Sequence, residues 1–162
     1  MRVAGCDYSS RFVDLVTVPL DGPGAPVWHR FPLGGADAFD RARSVAQAVP
    51  GPTSVLYDDL IAVGIEDPRG QNAGAMYRVQ GAILARIPAR MLVRPFIPSE
   101  WRKAVGLKGN ASKEDVFTFS IRIVNSHPKS LESWGLAVPT DATDALAIAL
   151  ATLRLLDREK AA

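Results

Sequence analysis

Two carboxylates three residues apart, Asp141 and Asp144, open the run Asp-Ala-Thr-Asp-Ala-Leu-Ala-Ile-Ala-Leu near the end of the chain. On a helix that spacing sends both side chains from one face of the first turn. Acids there complement the positive end of the helix dipole, and taken alone they ask for no other role. The residues that follow change the weight. From Ala145 the chain is rich in Ala and Leu, without Gly or Pro to about Asp157, so the helix is buried and its acidic end points inward. Two further acids close apolar runs: Asp7 ends residues 2–7, and Glu66 ends Leu60-Ile-Ala-Val-Gly-Ile-Glu66. If those runs are parallel neighbours in one sheet, Asp7 and Glu66 emerge at the same edge, where the helix start can join them. Four clustered carboxylates without compensating bases repel one another and call for a cation among them. Oxygen ligands with no Cys or His select Mg²⁺, with Mn²⁺ able to substitute. Two ions roughly 3.5–4 Å apart suit in-line displacement at phosphorus, one activating the attacking water and the other stabilising the leaving oxygen. Asp7, Glu66, Asp141 and Asp144 are therefore both the metal-binding and the catalytic candidates. Nothing rivals them: His29 and His127 lie far apart, and neither a Ser-His-Asp arrangement nor a phosphate-binding P-loop is present.

The elements that must position these acids follow from the hydrophobic pattern. Residues 2–7, Arg11 to Val18 and Val27 to Leu33 read as an antiparallel meander of three strands, the last an edge strand with Pro32. Ala36 to Val49 has helical spacing, with Phe39, Ala42, Ala46 and Val49 on one face, and Pro50-Gly-Pro52 stops it. Leu60 to Glu66 is a continuous apolar strand of the kind buried on both faces of a sheet. Asn72 to Ile87 is a helix with a Met76, Ile83 and Ile87 stripe, two glycines (Gly74, Gly81) open to close backbone approach, and neighbouring Arg78 and Arg86. Met91 to Arg94 is a fifth strand, and Pro98 to Val105 a short helix in which Trp101 packs onto the sheet. Residues 106–112 form a Gly-containing loop, and Ser112 with Asp115 caps a helix to about Ile123. Ser126 to Pro139 is a loop that leads to the last helix, with Thr140 as its cap and Pro139 before it. Trp28 and Trp134 read as packing residues, Asp14, Asp37, Asp40, Asp58 and Asp59 as surface groups, and Asp67 as no more than a neighbour of Glu66. The expectation is one α/β domain over residues 1–162.

Composition narrows the setting. Apolar residues make up 48% of the chain, with no low-complexity stretch, which predicts a soluble globular protein. No basic leader precedes an apolar stretch, and the longest apolar run, Ala145 to Leu153, is too short to cross a bilayer. The single cysteine, Cys6, excludes an internal disulfide and a Cys-based zinc site; it reads as a buried thiol, and the compartment as cytoplasmic. The net charge is +2, but Arg69 to Lys113 holds nine basic residues and one acid, Glu100, leaving the remainder at −6. A basic middle against an acidic remainder is a candidate nucleic-acid footprint. Within it, the 106–112 loop offers backbone amides and the ammonium groups of Lys108 and Lys113 as a phosphate grip.

These features together resemble the ribonuclease H-like nucleases, and within them the RuvC-type Holliday-junction resolvases. Ala62-Val-Gly-Ile-Glu66 is similar to that family's apolar strand ending in an acid. Gly109-Asn-Ala-Ser-Lys113 resembles its Gly-x-Ala-x-Lys loop, and Asp141-Ala-Thr-Asp144-Ala-Leu-Ala-Ile-Ala its last acidic block. The resemblance spans essentially the whole chain. It implies a five-stranded mixed sheet, an antiparallel meander of three plus parallel strands, flanked by helices. It also implies a Mg²⁺-dependent endonuclease with two ions per site that resolves Holliday junctions by paired nicks. It further implies a homodimer, with the Asn72–Ile87 helix at the interface and in DNA contact, Lys113 near the scissile phosphate, and Arg78 toward DNA. No membrane partner or small-molecule cofactor is expected. Tyr8-Ser9-Ser10 stands where the family has Gly, and the hydroxyls can bind a phosphate or water. Arg69 stands where it often has an aromatic wedge; a cation can grip a phosphate or stack on a base, which widens the expected substrates to forks and flaps. A hybrid nuclease on this fold would need a 2′-hydroxyl reader, which nothing specifies. A non-catalytic branched-DNA binder would have lost an acid, and none is lost. The compact chain suits a phage or mobile element as well as a chromosome.

Overall fold

A computed structural model describes residues 1–21, 24–71, 73–127 and 140–161. Five strands form one mixed sheet: β1 (Arg2–Tyr8), β2 (Phe12–Pro19), β3 (Val27–Pro32), β4 (Leu60–Glu66) and β5 (Leu92–Phe96), in the order β3-β2-β1-β4-β5. β1, β2 and β3 pair antiparallel, while β4 runs parallel to both β1 and β5. The meander and the parallel pair therefore stand as the sequence predicts. Among the described residues there are five α-helices: α1 (Ala38–Ala48), α2 (Ala73–Leu84), α3 (Pro98–Ala104), α4 (Lys113–Asn125) and α5 (Thr140–Ala161).

Alternation along the strands divides the core between two faces. Ala4, Cys6, Val13, Leu15, Val63 and Ile65 point to the side covered by α1 and α2. Val3, Val16, Val18 and Ala62 point to the other side, under α5. Beyond α5 a third layer, α3 and α4, adds Trp101, Val105 and Val116. This layering is why the first half of α5 is buried on every side. Ala142 to Ala149 are buried without a break, because the helix has the sheet on one side and two helices on the other.

Several elements differ in detail from their sequence pattern. α1 presents Val45 and Val49 to the core, while Phe39 and Ala46 face solvent. Phe39 is instead covered by Arg78, whose guanidinium lies 4.7 Å from the ring centre. α2 stops at Leu84, and Arg86 donates from Nε to Val49 O, so Arg78 and Arg86 serve different partners rather than forming a pair. Met91 precedes β5, which extends to Phe96. α5 reaches Ala161, and Thr140 is its first helical residue rather than a residue before it. Ser112 caps α4 as predicted: its hydroxyl accepts from Asp115 N, and the Asp115 carboxylate accepts from Ser112 N. Asn72, Trp134, Pro139 and most of the 126–139 loop lie outside the described residues.

Two glycines facing each other across the parallel pair, Gly5 and Gly64, set how closely α5 approaches. A Cβ on Gly5 would lie 2.1 Å from Ala145 O and 2.2 Å from Ala149 N, both backbone atoms of α5. A Cβ on Gly64 would lie 2.1 Å from Thr152 Oγ1. Gly5→Ala is therefore expected to cost about 3 kcal/mol or more, at the upper end of overpacking penalties. Equilibrium urea denaturation of the variant beside wild type measures this directly.

Candidate active site

β1 and β4 pair in parallel with Cys6 opposite Ile65, so the next residues on each strand, Asp7 and Glu66, leave the same end of the sheet. By strand parity both point to the α5 side. α5 lies across β1 in van der Waals contact, which carries its first turn, with Asp141 and Asp144, to that end. Asp144 is 8% exposed and Asp141 is partly open to solvent. The carboxylates sense one another. Burial, then Glu66, Asp144 and Asp141, push the Asp7 carboxyl well above its ordinary range, against one backbone hydrogen bond from Tyr8. Burial also raises Glu66, opposed by Trp101, Arg102 and Lys113. Asp144 is pushed up to about 6, again chiefly by burial, with Lys113 and Arg102 working against it. All four predicted acids thus belong to one electrostatic centre.

Glu66 is the most firmly held of the four. Its backbone carbonyl accepts from Tyr8 Oη at 3.1 Å and from Gln80 Nε2 at 3.0 Å. Its carboxylate accepts from Trp101 Nε1 at 3.0 Å. Trp101 is fully buried, and the Arg102 guanidinium lies 4.9 Å from its ring centre. The reading of Trp101 as a packing residue is incomplete: it packs, and it also bonds a site carboxylate. Its partner is 35 residues distant, and no local spacing points to it.

A second omission lies beside Asp7. Asp14 is directly opposite Asp7 across β1 and β2, and it is buried rather than a surface group. It accepts from Arg30 Nε and Nη2, both at 2.8 Å, and from Trp28 Nε1 at 2.8 Å. Arg30 in turn lies over the rings of Phe12 and Trp28. The available signal was the run itself, since Asp14 interrupts a largely apolar strand that is buried on both faces. Asp37, Asp58 and Asp59 are exposed, Asp40 is half-buried, and Asp37 caps α1.

The predicted cations divide. Lys113 Nζ stands 3.9 Å from Asp141 Oδ1, so it joins the acids. Arg69 borders a cavity of about 150 Å³ together with Asp7, Tyr8, Glu66, Pro68 and Met76, and pairs with Asp67 at 2.8 Å. Lys108 lines a separate cavity with Asp115, Phe119 and Arg122, which none of the four acids borders. Arg78 stacks on Phe39 and does not reach the acids.

Among the described residues no three acid, Cys or His side chains are grouped as closely as one bound ion requires. The donor set nonetheless fits a hard divalent cation: oxygen ligands alone, partly buried, with Asp7 and Asp144 each made harder to ionise by neighbouring carboxylates. A positive charge is what offsets that repulsion.

Sheet order, strand directions and the long helix across the central strands define a ribonuclease H-like fold. Solved structures share it. RuvC of Thermus thermophilus matches with a TM-score of 0.67 at 24% identity, over 98% of this chain and 97% of that one. The same organism's RuvC in complex with a Holliday junction substrate matches with a TM-score of 0.67 at 22% identity, over 98% and 96%. The yeast mitochondrial Holliday junction resolvase Ydc2 matches with a TM-score of 0.62 at 11% identity, over 99% and 82%. No protein-family model and no curated protein matches the sequence. The likeness at these identities is one of fold.

The raised carboxyls make a prediction for the metal-free protein. Asp144 binds a proton in the folded chain up to about pH 6 and in the unfolded chain only to its ordinary value near 3.8. The folded state therefore holds more protons between those values, and stability falls as pH climbs through that window. In chelator, Asp144→Asn should be stabilised relative to wild type by on the order of 2–3 kcal/mol at pH 8, and by clearly less at pH 5. Thermal unfolding of both proteins at the two pH values gives the comparison.

Proposed function

We propose that this protein is a divalent-cation-dependent endonuclease that cuts branched DNA, four-way junctions foremost, by phosphodiester hydrolysis. The observation that carries the reading is the meeting of Asp7, Glu66 and Asp144 at one end of the parallel β1–β4 pair, with Asp141 and Lys113 beside them. Asp7, Glu66, Asp141 and Asp144 would hold Mg²⁺, or Mn²⁺ in its place, with two ions as the expected complement. Such ions supply an activated water and stabilise charge on the leaving oxygen. The chain itself does the rest. Tyr8 and Gln80 hold the backbone at Glu66, and buried Asp144 is fixed by the packing of α5. Lys113, at the start of α4, offers an ammonium next to Asp141 for a phosphate oxygen. The solved neighbours that bear the name Holliday junction resolvase, and the Thermus protein bound to such a junction, support four-way DNA as substrate.

A homodimer, with each copy nicking one strand, belongs to the same reading. Support comes from α2, where the space a Cβ would fill at Gly74 and Gly81 is open and Tyr77 is exposed. One observation favours a broader range of branched substrates. Arg69, largely exposed and paired with Asp67, borders the cavity beside Asp7 and Glu66 with a cation rather than a flat ring. It can grip a strand at a fork or flap as well as at a junction. The fold has no helix, among the described residues, long and apolar enough to cross a membrane.

Incubation with labelled four-way junction, fork, flap and linear duplex, each with Mg²⁺, Mn²⁺ or chelator, tests the proposal. Metal-dependent paired nicks on the junction are the expected result, and comparable cutting of forks and flaps would recast the enzyme as a broader branched-DNA nuclease. Asp7→Asn and Asp144→Asn should each lose about 3 orders of magnitude or more in cleavage rate while retaining junction binding in a gel-shift assay. Cleavage in chelator, or undiminished cleavage by either variant, sinks the metal-dependent reading.

A further inference from the structure

We infer that Trp101 is a positioning residue for the site: its indole N–H locks the Glu66 carboxylate in the orientation that receives a divalent cation. This deepens the proposed function and rests on Glu66 being a ligand there.

The geometry gives Trp101 that role. Nε1 lies 3.0 Å from Glu66 Oε2, the side chain is wholly buried, and the ring is wedged among Phe96, Val105, Val116 and Ile148. A buried indole N–H needs an acceptor, and a charged one forms the stronger bond. Because the ring cannot turn in its packing, the direction of that bond is fixed, and with it one oxygen of Glu66. The other oxygen is left for a cation. A neutral donor suits this task better than a basic side chain. An Arg or Lys at the same distance would neutralise the carboxylate and compete with the metal, whereas an indole orients it and leaves the negative charge in place. Arg102 strengthens the arrangement from behind. Its guanidinium lies over the same ring, 4.9 Å from the centre, and draws electron density from the indole, making the N–H a better donor. Glu66 is also tied through its backbone by Tyr8 and Gln80, so the indole governs what remains free, the side-chain torsions. Partners that orient metal-bound carboxylates commonly matter about 10–100-fold in metal affinity or rate.

Two substitutions separate orientation from packing. Trp101→Phe keeps an aromatic ring but deletes the donor. Replacement of Trp101 by 3-benzothienylalanine keeps the indole outline and exchanges only N–H for sulfur, so folding is preserved even where Phe leaves a void. Mn²⁺ binding to the full chain is measured by calorimetry, and kcat and KM on a four-way junction are measured at saturating Mg²⁺. The benzothienyl protein should bind Mn²⁺ about 10-fold more weakly and lose a similar factor in kcat, with junction KM within twofold of wild type. Its melting temperature should stay close to that of wild type. Mn²⁺ affinity and kcat both within twofold of wild type overturn the proposal, as does a loss confined to the Phe variant and matched by a fall in its melting temperature. If wild type binds Mn²⁺ but cuts no branched DNA, the nuclease reading fails while the calorimetric comparison still decides the role of Trp101. Wild type that takes up no Mn²⁺ overturns both.

Discussion

The acidic centre depends on how closely α5 lies on the two central parallel strands. Gly5 and Gly64 face one another across β1 and β4, and together they remove the side chains that would hold the helix away. The Ala-rich inner face of α5 completes the contact from the other side. With the helix seated at that depth, its first turn reaches the strand ends and Asp144 is drawn out of water beside Asp7 and Glu66. A helix resting on ordinary side chains would stand farther off, and its acids would be solvated groups complementing a dipole. The same contact buries the helix under α3 and α4, so one interface supplies both much of the core and the placement of two of the four carboxylates.

That placement opposes stability. Burial raises Asp7, Glu66 and Asp144, repulsion from other carboxylates adds to it at Asp7 and Asp144, and Lys113 and Arg102 offset the effect only in part at Glu66 and Asp144. Local rules of charge and burial are commonly broken where a protein acts rather than where it only folds. The contrast with Asp14 is instructive. It sits opposite Asp7 on the next strand and is the more deeply buried of the two, yet two nitrogens of Arg30 and the indole of Trp28 satisfy it. Neighbouring carboxylates on one face of one sheet are thus treated in opposite ways. One is neutralised by a full set of donors, and the other is left among like charges.

The support of Glu66 shows how a site is spread over the fold. Its backbone is held from β1 and α2, and its side chain from α3, three elements that share no sequence proximity. α3 is a single short stretch begun by Pro98 and capped by Glu100. Its position against β5 and α5 is what brings Trp101 under the carboxylate, with the cation of Arg102 over the ring.

Much of this was legible in the chain itself. Apolar runs, helical spacing and capping residues located all five strands and the five described α-helices, because burial on one or both faces and the ends of helices each leave a local trace. The four acids stood out because each interrupts or ends such a trace, and the basic 69–113 segment because charge needs no fold to be counted. Partners were another matter. Asp14 read as a surface group, Trp101 as packing alone, Phe39 as core, and Arg78 with Arg86 as a pair. In each case the deciding neighbour lies on another element, at a distance set by strand register and helix depth rather than by spacing along the chain. Sequence by itself determined which residues could carry chemistry and which faces had to be buried, since both follow from side-chain type and local period. Only the tertiary structure decided which charges meet, which are satisfied and which remain strained, because those outcomes depend on contacts between segments far apart in the chain.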